Sequence, residues 1–399
     1  MNLRILLILS LGHLITDITQ GGLPILLPFI KQTLNLTYAA SGAIIMASNI
    51  TSSIIQPFLG YLSDRWGGIW MLPAGVAVSC AGFSVLGYAP SYAYILLAVL
   101  ISGLGVASYH PEGFKVAQYF TGDRKVTGMS FFSVGGNLGF ALGPLLAVYS
   151  YNWMGLKGTV LFVVPGLLMA AILLTITPTL LAPHGRESSD RVSRESSIPR
   201  PLGSRWISLT LLILAVTMRS WVQMGLVAFI PFYFVSVLEG DPIRAGKLIS
   251  VFLIAGAFGT LLGAPFADRF GHKRFFVVSL ALMTPLLWLF LQVDGHWLYV
   301  VLGLVGAVLV STFSVTIVMA QQILPDRLGV ASGLMVGFAI GTGGIGATFL
   351  GWLADYWGVV MVLRLTAWLP LIGVLFTLCM PYPVRFARTP TGEDYMTGS

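Results

Sequence analysis

Apolar runs of twenty or more residues recur along the whole chain, and they limit what it can fold into before any single residue is considered. Crossing the hydrocarbon core of a membrane by helix takes about 20 residues. Reading apolar runs between polar or Gly/Pro breaks gives twelve, near 5–30, 39–63, 69–89, 92–118, 126–150, 158–181, 206–235, 244–267, 274–292, 297–322, 328–353 and 359–381. Runs of this length must be helices, because in lipid every backbone polar group has to be bonded within its own segment. Composition agrees. Of 399 residues 56% are hydrophobic and 9% charged, against about a quarter charged in a soluble domain. The expectation is an all-α membrane protein. The first run is longer than the core of a signal peptide, about 7–15 residues, so it is expected to stay as the first membrane helix.

Between the sixth and seventh runs lies "APHGRESSDRVSRESSIPRPLGSR", 182–205. Its Ser, Arg and Pro content reads as a solvated linker. The expected organisation is a six-helix bundle over 1–181, the linker, a second six-helix bundle over 206–385 and a polar tail over 386–399. With the N-terminus in the cytoplasm, fifteen Lys and Arg fall on the inner side and five on the outer. Lys115 and Arg219, within spans, complete the 22. That bias places both termini and the linker in the cytoplasm. The net charge of +7 therefore reports topology and not a nucleic-acid partner. Cys80 and Cys379 each stand alone in apolar sequence, which excludes a disulfide framework or a paired-cysteine metal site.

The halves repeat at an offset of about 203 residues. Gln20 matches Gln223, Pro28 matches Pro231, and Gly60 matches Gly263. Asp123–Arg124 match Asp326–Arg327, Gly155 matches Gly358, and Asp64 matches Asp268 at 204. Parallel halves with a binding site between them near the midplane describe one known transporter architecture. "GYLSDRWG" from Gly60 and "GAPFADRFGHKR" from Gly263 resemble the loop signature of the major facilitator superfamily. The resemblance implies that fold, with alternating access. In it Gly60 permits close helix approach, while Asp64, Arg65, Asp268 and Arg269 form gating contacts with neighbouring helix ends in only one conformation. "GNLGFALGPLLA", 136–147, carries Gly139, Gly143 and Pro144. Small residues four apart allow tight packing, and the pattern resembles the antiporter signature of that superfamily.

Ionisable residues within spans are rare and usually line a path or pair with each other. His13 and Asp17 are four apart on the first helix and share a face. Asp17 lies twelve residues into its run, about 18 Å along the axis. On the fourth helix "YHPEGFK" sets His110 and Glu112 around a proline, with Lys115 three residues beyond Glu112. Arg219 is the strong cation near the middle of the seventh. Mutual neutralisation of His13 with Asp17 and of Glu112 with Lys115 is the plain structural alternative.

"GHLITD", "SSIIQPFLGYLSDR", "GLGVASYHPEGFKVA" and "SVGGNLGFALGPLLA" together resemble the fosmidomycin-resistance family of bacterial exporters within that superfamily. The match implies cavity or gating roles for His13, Asp17, Gln56, His110, Glu112 and Asn137. Gln20, Gln223 and Arg219 are added from depth, charge and the repeat. The expected function is proton-coupled antiport of a small anionic or amphipathic compound out of the cytoplasm, across a bacterial inner membrane. Asp17, His13, Glu112 and His110 would serve the proton. Arg219, His110, Gln20, Gln223, Gln56 and Asn137 would serve the substrate. The family's best-known drug is a phosphonate, a group that cations with hydrogen-bond donors neutralise. Proton symport of a nutrient anion is the competing reading. Catalytic motifs are absent, and no cofactor or metal is expected; a proton gradient supplies the energy. The expected partners are the substrate, protons and lipid, around a monomer.

Overall fold

The computed structural model describes residues 1–36, 38–194, 202–238 and 242–382. Among these residues every regular element is helical. The segments are α1 (Leu3–Thr33), α2 (38–66), α3 (71–88), α4 (Tyr92–Phe120), α5 (Lys125–Met154), α6 (155–194), α7 (202–237), α8 (Pro242–Phe270), α9 (His272–Phe290), α10 (Trp297–Ile323), α11 (328–357) and α12 (359–379). Among the described residues, ten continuous helical runs are long and apolar enough to cross a membrane. Two of these, Lys125–Leu181 with 57 residues and Leu328–Thr366 with 39, exceed one crossing. They turn at Gly155 and Gly358, whose φ values are 61° and 76°. That backbone region strains any residue with a β-carbon, which explains why the repeat carries glycine at both places. The structure differs in detail at the linker. There α6 continues through Arg194, since after Gly185 no Gly or Pro intervenes before Pro199. Residues 195–201 and the expected tail, 386–399, lie outside the described residues.

The repeat of the sequence is a repeat of packing. In the first half α1 packs on α5, α2 on α4 and α3 on α6; in the second α7 packs on α11, α8 on α10 and α9 on α12. Between the halves α2 meets α11 and α5 meets α8, again equivalent pairs. Large apolar side chains such as Phe58, Leu262 and Ile345 are more than half exposed on the outside, where lipid is the expected solvent.

Glycine sets the closest of these approaches. On α11, Gly329, Gly333, Gly337 and Gly341 recur every four residues and face Gly60, Gln56 and Ser53 of α2. A β-carbon on Gly333 would stand 2.6 Å from the Gln56 carbonyl oxygen, and one on Gly329 2.6 Å from that of Gly60. Without a hydrophobic force between helices in lipid, this small-residue stripe lets the backbones touch. The halves are joined along it.

Candidate functional site

Four side chains from three helices meet inside the first half. His13 Nε2 lies 3.4 Å from Asp17 Oδ2, one turn along α1. The other carboxylate oxygen, Asp17 Oδ1, lies 3.0 Å from His110 Nε2 on α4. His110 Nδ1 in turn is 3.1 Å from Gln56 Nε2 on α2, which also donates to the Ser52 carbonyl at 2.5 Å. At the opposite end of the chain of contacts, His13 Nδ1 faces the Phe132 carbonyl of α5 at 3.1 Å. All four side chains are buried or nearly so, Asp17 at 14% being the most open. Local sequence shapes the site. Pro111 follows His110 and Pro57 follows Gln56, so neither following residue can donate its backbone hydrogen bond. A π turn over Ile50–Ile54 shifts the register of α2 just before Gln56. Gly136 makes room, because a β-carbon there would stand 2.8 Å from Asp17 Oδ2.

Aromatic rings close the cluster. Phe132 stacks on His13 at 4.6 Å and Phe114 meets it edge-on at 5.6 Å. Phe114 continues across the boundary between the halves to Phe313 on α10, 6.2 Å between centroids. The far side of Phe313 carries Arg219, its guanidinium carbon 5.8 Å from the ring centre. Arg219 is fully buried. Its Nε donates to the Leu309 carbonyl at 3.2 Å and its Nη2 to Gln223 Oε1 at 2.9 Å. Its Nη1 has no hydrogen-bond partner among the described residues. A buried guanidinium held only by neutral acceptors has one face ready for an anion. Two phenylalanines thus separate an acidic-imidazole cluster in one half from a cation in the other.

One end of the molecule is tied by two equivalent caps. Asp64 of α2 accepts from the backbone N–H groups of Gly329 and Val330 at 2.9 and 3.0 Å, at the start of α11. Asp268 of α8 accepts from those of Val126 and Thr127 at 3.0 and 2.8 Å, at the start of α5. Gly329 and Val126 are 203 residues apart. Each carboxylate therefore caps a helix of the opposite half, where both the free N–H groups and the helix dipole favour negative charge. Behind Asp64, Lys115 pairs with Glu112 at 2.8 Å and reaches Asp64 at 3.8 Å. Ser63 links the pair, accepting from Lys115 and donating to Glu112.

The structure unites His13, Asp17, His110 and Gln56, and separately Arg219 with Gln223. Gln20 lies three residues past Asp17 on α1, partly buried. Asn137 reaches Thr260 of the other half at 3.5 Å. Glu112 sits at the capped end with Lys115, apart from the His–Asp network. Gly139 and Gly143 pack on the backbone of α1 at Leu14 and Ile18, so with Pro144 they build the interior of one half and not the contact between halves. Arg65 and Arg269 are exposed and lie over Trp66 and Phe270 of their own helices. A step of one residue turns a helix by about 100°, so only the aspartate of each Asp-Arg pair faces the boundary. His13, Asp17 and His110 offer ligand-type atoms within 4.8 Å of one another, a spacing that also suits a metal. In this structure those atoms are already joined to each other. Phe114, Phe313, Ser63, Gly136 and the α11 stripe were not singled out from the sequence. The stripe's four-residue spacing was the one signal available.

The family model of the Major Facilitator Superfamily matches residues 9–251 and 238–394. The chain is 32% identical to the fosmidomycin resistance protein of Escherichia coli K12 over 373 residues, 94% of this chain and 91% of that protein. It is 36% identical to the uncharacterised transporter YfnC of Bacillus subtilis 168 over 374 residues, 93% of this chain and 91% of the relative. Among solved structures it is similar to FucP in the outward conformation, with TM-score 0.70 and 17% identity over 93% of this chain and 97% of that one. The human organic anion transporter MFSD10 gives TM-score 0.70 and 18% identity, covering 94% and 99%.

Proposed function

The chain belongs to the major facilitator superfamily of membrane transporters, and on that premise we propose that it exports a small anionic or amphipathic compound in exchange for protons. The observation that carries this reading is Asp17, held within the first half between two imidazoles, with Arg219 beyond two phenylalanines in the second. An exchanger needs a proton site and a substrate site whose occupancies exclude one another. Here the two sites face each other across the boundary that alternating access opens and closes. Asp17 and His13 carry the proton, with His110 beside them. Arg219 and Gln223 hold the anionic group, and Gln20, Gln56 and Asn137 shape the cavity. Glu112 and Lys115 tie the proton half to the cap at Asp64.

The chain then crosses a bacterial inner membrane twelve times as a monomer, with both termini in the cytoplasm and no cofactor. The end tied by Asp64 and Asp268 faces the cytoplasm, so the structure corresponds to an outward-open or occluded state. Support for export comes from the resistance named for the Escherichia coli relative, which makes fosmidomycin, a phosphonate, the first probe. Everted membrane vesicles expressing the chain should accumulate fosmidomycin when respiration acidifies their lumen and release it when the gradient is collapsed. Accumulation indifferent to the gradient would remove proton coupling. Uptake by intact cells instead of extrusion would reverse the direction.

A further inference from the structure

The network around Asp17 fixes where most of its protons must be. A carbonyl oxygen only accepts, so His13 Nδ1, 3.1 Å from the Phe132 carbonyl, has to carry a hydrogen. Gln56 Nε2 is a donor with two hydrogens. One goes to the Ser52 carbonyl, which only accepts and thereby fixes the orientation of the amide. The other points at His110 Nδ1, 3.1 Å away, and that nitrogen must present a lone pair. His110 is then the neutral tautomer with its hydrogen on Nε2, donating to Asp17 Oδ1 at 3.0 Å. Protonating His110 at Nδ1 would set a hydrogen against the Gln56 amide hydrogens and break that bond. One contact is left undetermined. His13 Nε2 and Asp17 Oδ2 are 3.4 Å apart; with a proton between them they attract, and without one two lone pairs oppose each other.

We propose that the cluster holds a single exchangeable proton, on the His13 Nε2–Asp17 Oδ2 edge, and that Gln56 is the positioning residue that keeps His110 a fixed neutral donor. On binding, a proton from solution becomes the Nε2–H of an imidazolium paired with the carboxylate. On release it returns to solution and leaves Nε2 bare. The two imidazoles thereby have different roles although both touch one aspartate. The other titratable side chain against this site is Tyr109 of α4, its ring 6.2 Å from that of His13 and its hydroxyl donating to the Leu9 carbonyl at 2.7 Å. The faces from α2 and α5 bring Gln56, Phe132 and Gly136, none of which ionises. Discharging the edge replaces an attraction with a repulsion between neighbouring turns of α1, against α5. That gives the proton a mechanical consequence at the closely packed α1–α5 contact. The use of this proton in transport rests on the exchange reading above; its location does not.

The test is nitrogen NMR of the full-length protein in lipid nanodiscs with 15N-labelled histidine. The chain has five histidines, so His13→Gln and His110→Gln variants assign the two signals. The expected result across a pH series is a single tautomer at His110 with Nδ1 bare throughout. His13 keeps its Nδ1 hydrogen and gains or loses one at Nε2. In Gln56→Leu, His110 is released to titrate as well, a change that a merely structural role for Gln56 would not produce. A titrating His110 in the wild-type protein, or a His13 that does not change, overturns the proposal. If the signals behave as expected while a pH gradient drives no transport, the location stands and the exchange reading falls.

Discussion

His110 Nε2 stands 3.0 Å from Asp17 Oδ1, although 93 residues separate them in sequence. Asp17 also has His13 within its own helix, so the carboxylate is shared between α1 and α4 and reports on the packing of both. Through Gln56 the same network touches α2, the helix that carries the Asp64 cap. The His–Asp cluster and the capped end are thus on connected elements of one half.

The two caps between the halves should contribute equally and independently. Replacing a capping side chain with alanine costs about 0.5–2 kcal/mol. Asp64→Ala and Asp268→Ala are each expected to shift the population toward opening at that end by about that amount. With different partners, the two effects should add. Distances between spin labels on the starts of α5 and α11 would measure the shift.

The α11 glycine stripe gives a sharper version. Gly333→Leu places a side chain against the Gln56 carbonyl, and overpacking of this kind costs about 1–3 kcal/mol. Closure of the capped end should be lost and transport should fall with it. Gly344→Leu on the same helix is the control, because nothing lies within 4 Å of its β-carbon position; it should transport normally.

Arg219 should oppose stability and serve binding. A buried cation without a counter-charge is costly, so Arg219→Met should leave the melting temperature of the empty protein unchanged or raise it. The same variant should lose the stabilisation that fosmidomycin gives the wild type. Arg219→Lys should recover only part of it, since lysine lacks the planar fork. Thermal melts with and without the ligand read both effects.

Glu112 and Lys115 form the complementary case. Lys115→Met leaves the Glu112 carboxylate buried against Ser63 alone and is expected to destabilise by about 3–5 kcal/mol. Adding Glu112→Gln should restore much of the loss. A melting temperature unchanged by Lys115→Met would show that the pair does not hold this end together.

Lipid made the architecture legible from sequence. Each crossing must satisfy its own backbone, so apolar runs and the 203-residue offset, Gly155 against Gly358 included, could be read locally. His13 with Asp17 was legible for the same reason, being one turn apart. The meeting of Asp17 with His110 and of Arg219 with Phe313 depends on how helices rotate against each other, which no local pattern records. The placement of Arg65 and Arg269, exposed over Trp66 and Phe270, likewise depends on helix rotation, since neighbours in sequence face different ways on a helix.

The central claim is that the His13–Asp17 pair carries the coupling proton, with the Asp17 carboxylate as its counter-charge. Proteoliposomes loaded with radiolabelled fosmidomycin and given an imposed pH gradient test it most directly with Asp17→Asn. The neutral isostere is expected to abolish gradient-driven transport while gradient-independent exchange of labelled for unlabelled fosmidomycin persists. Gradient-driven transport by Asp17→Asn equal to that of the wild type would contradict the account.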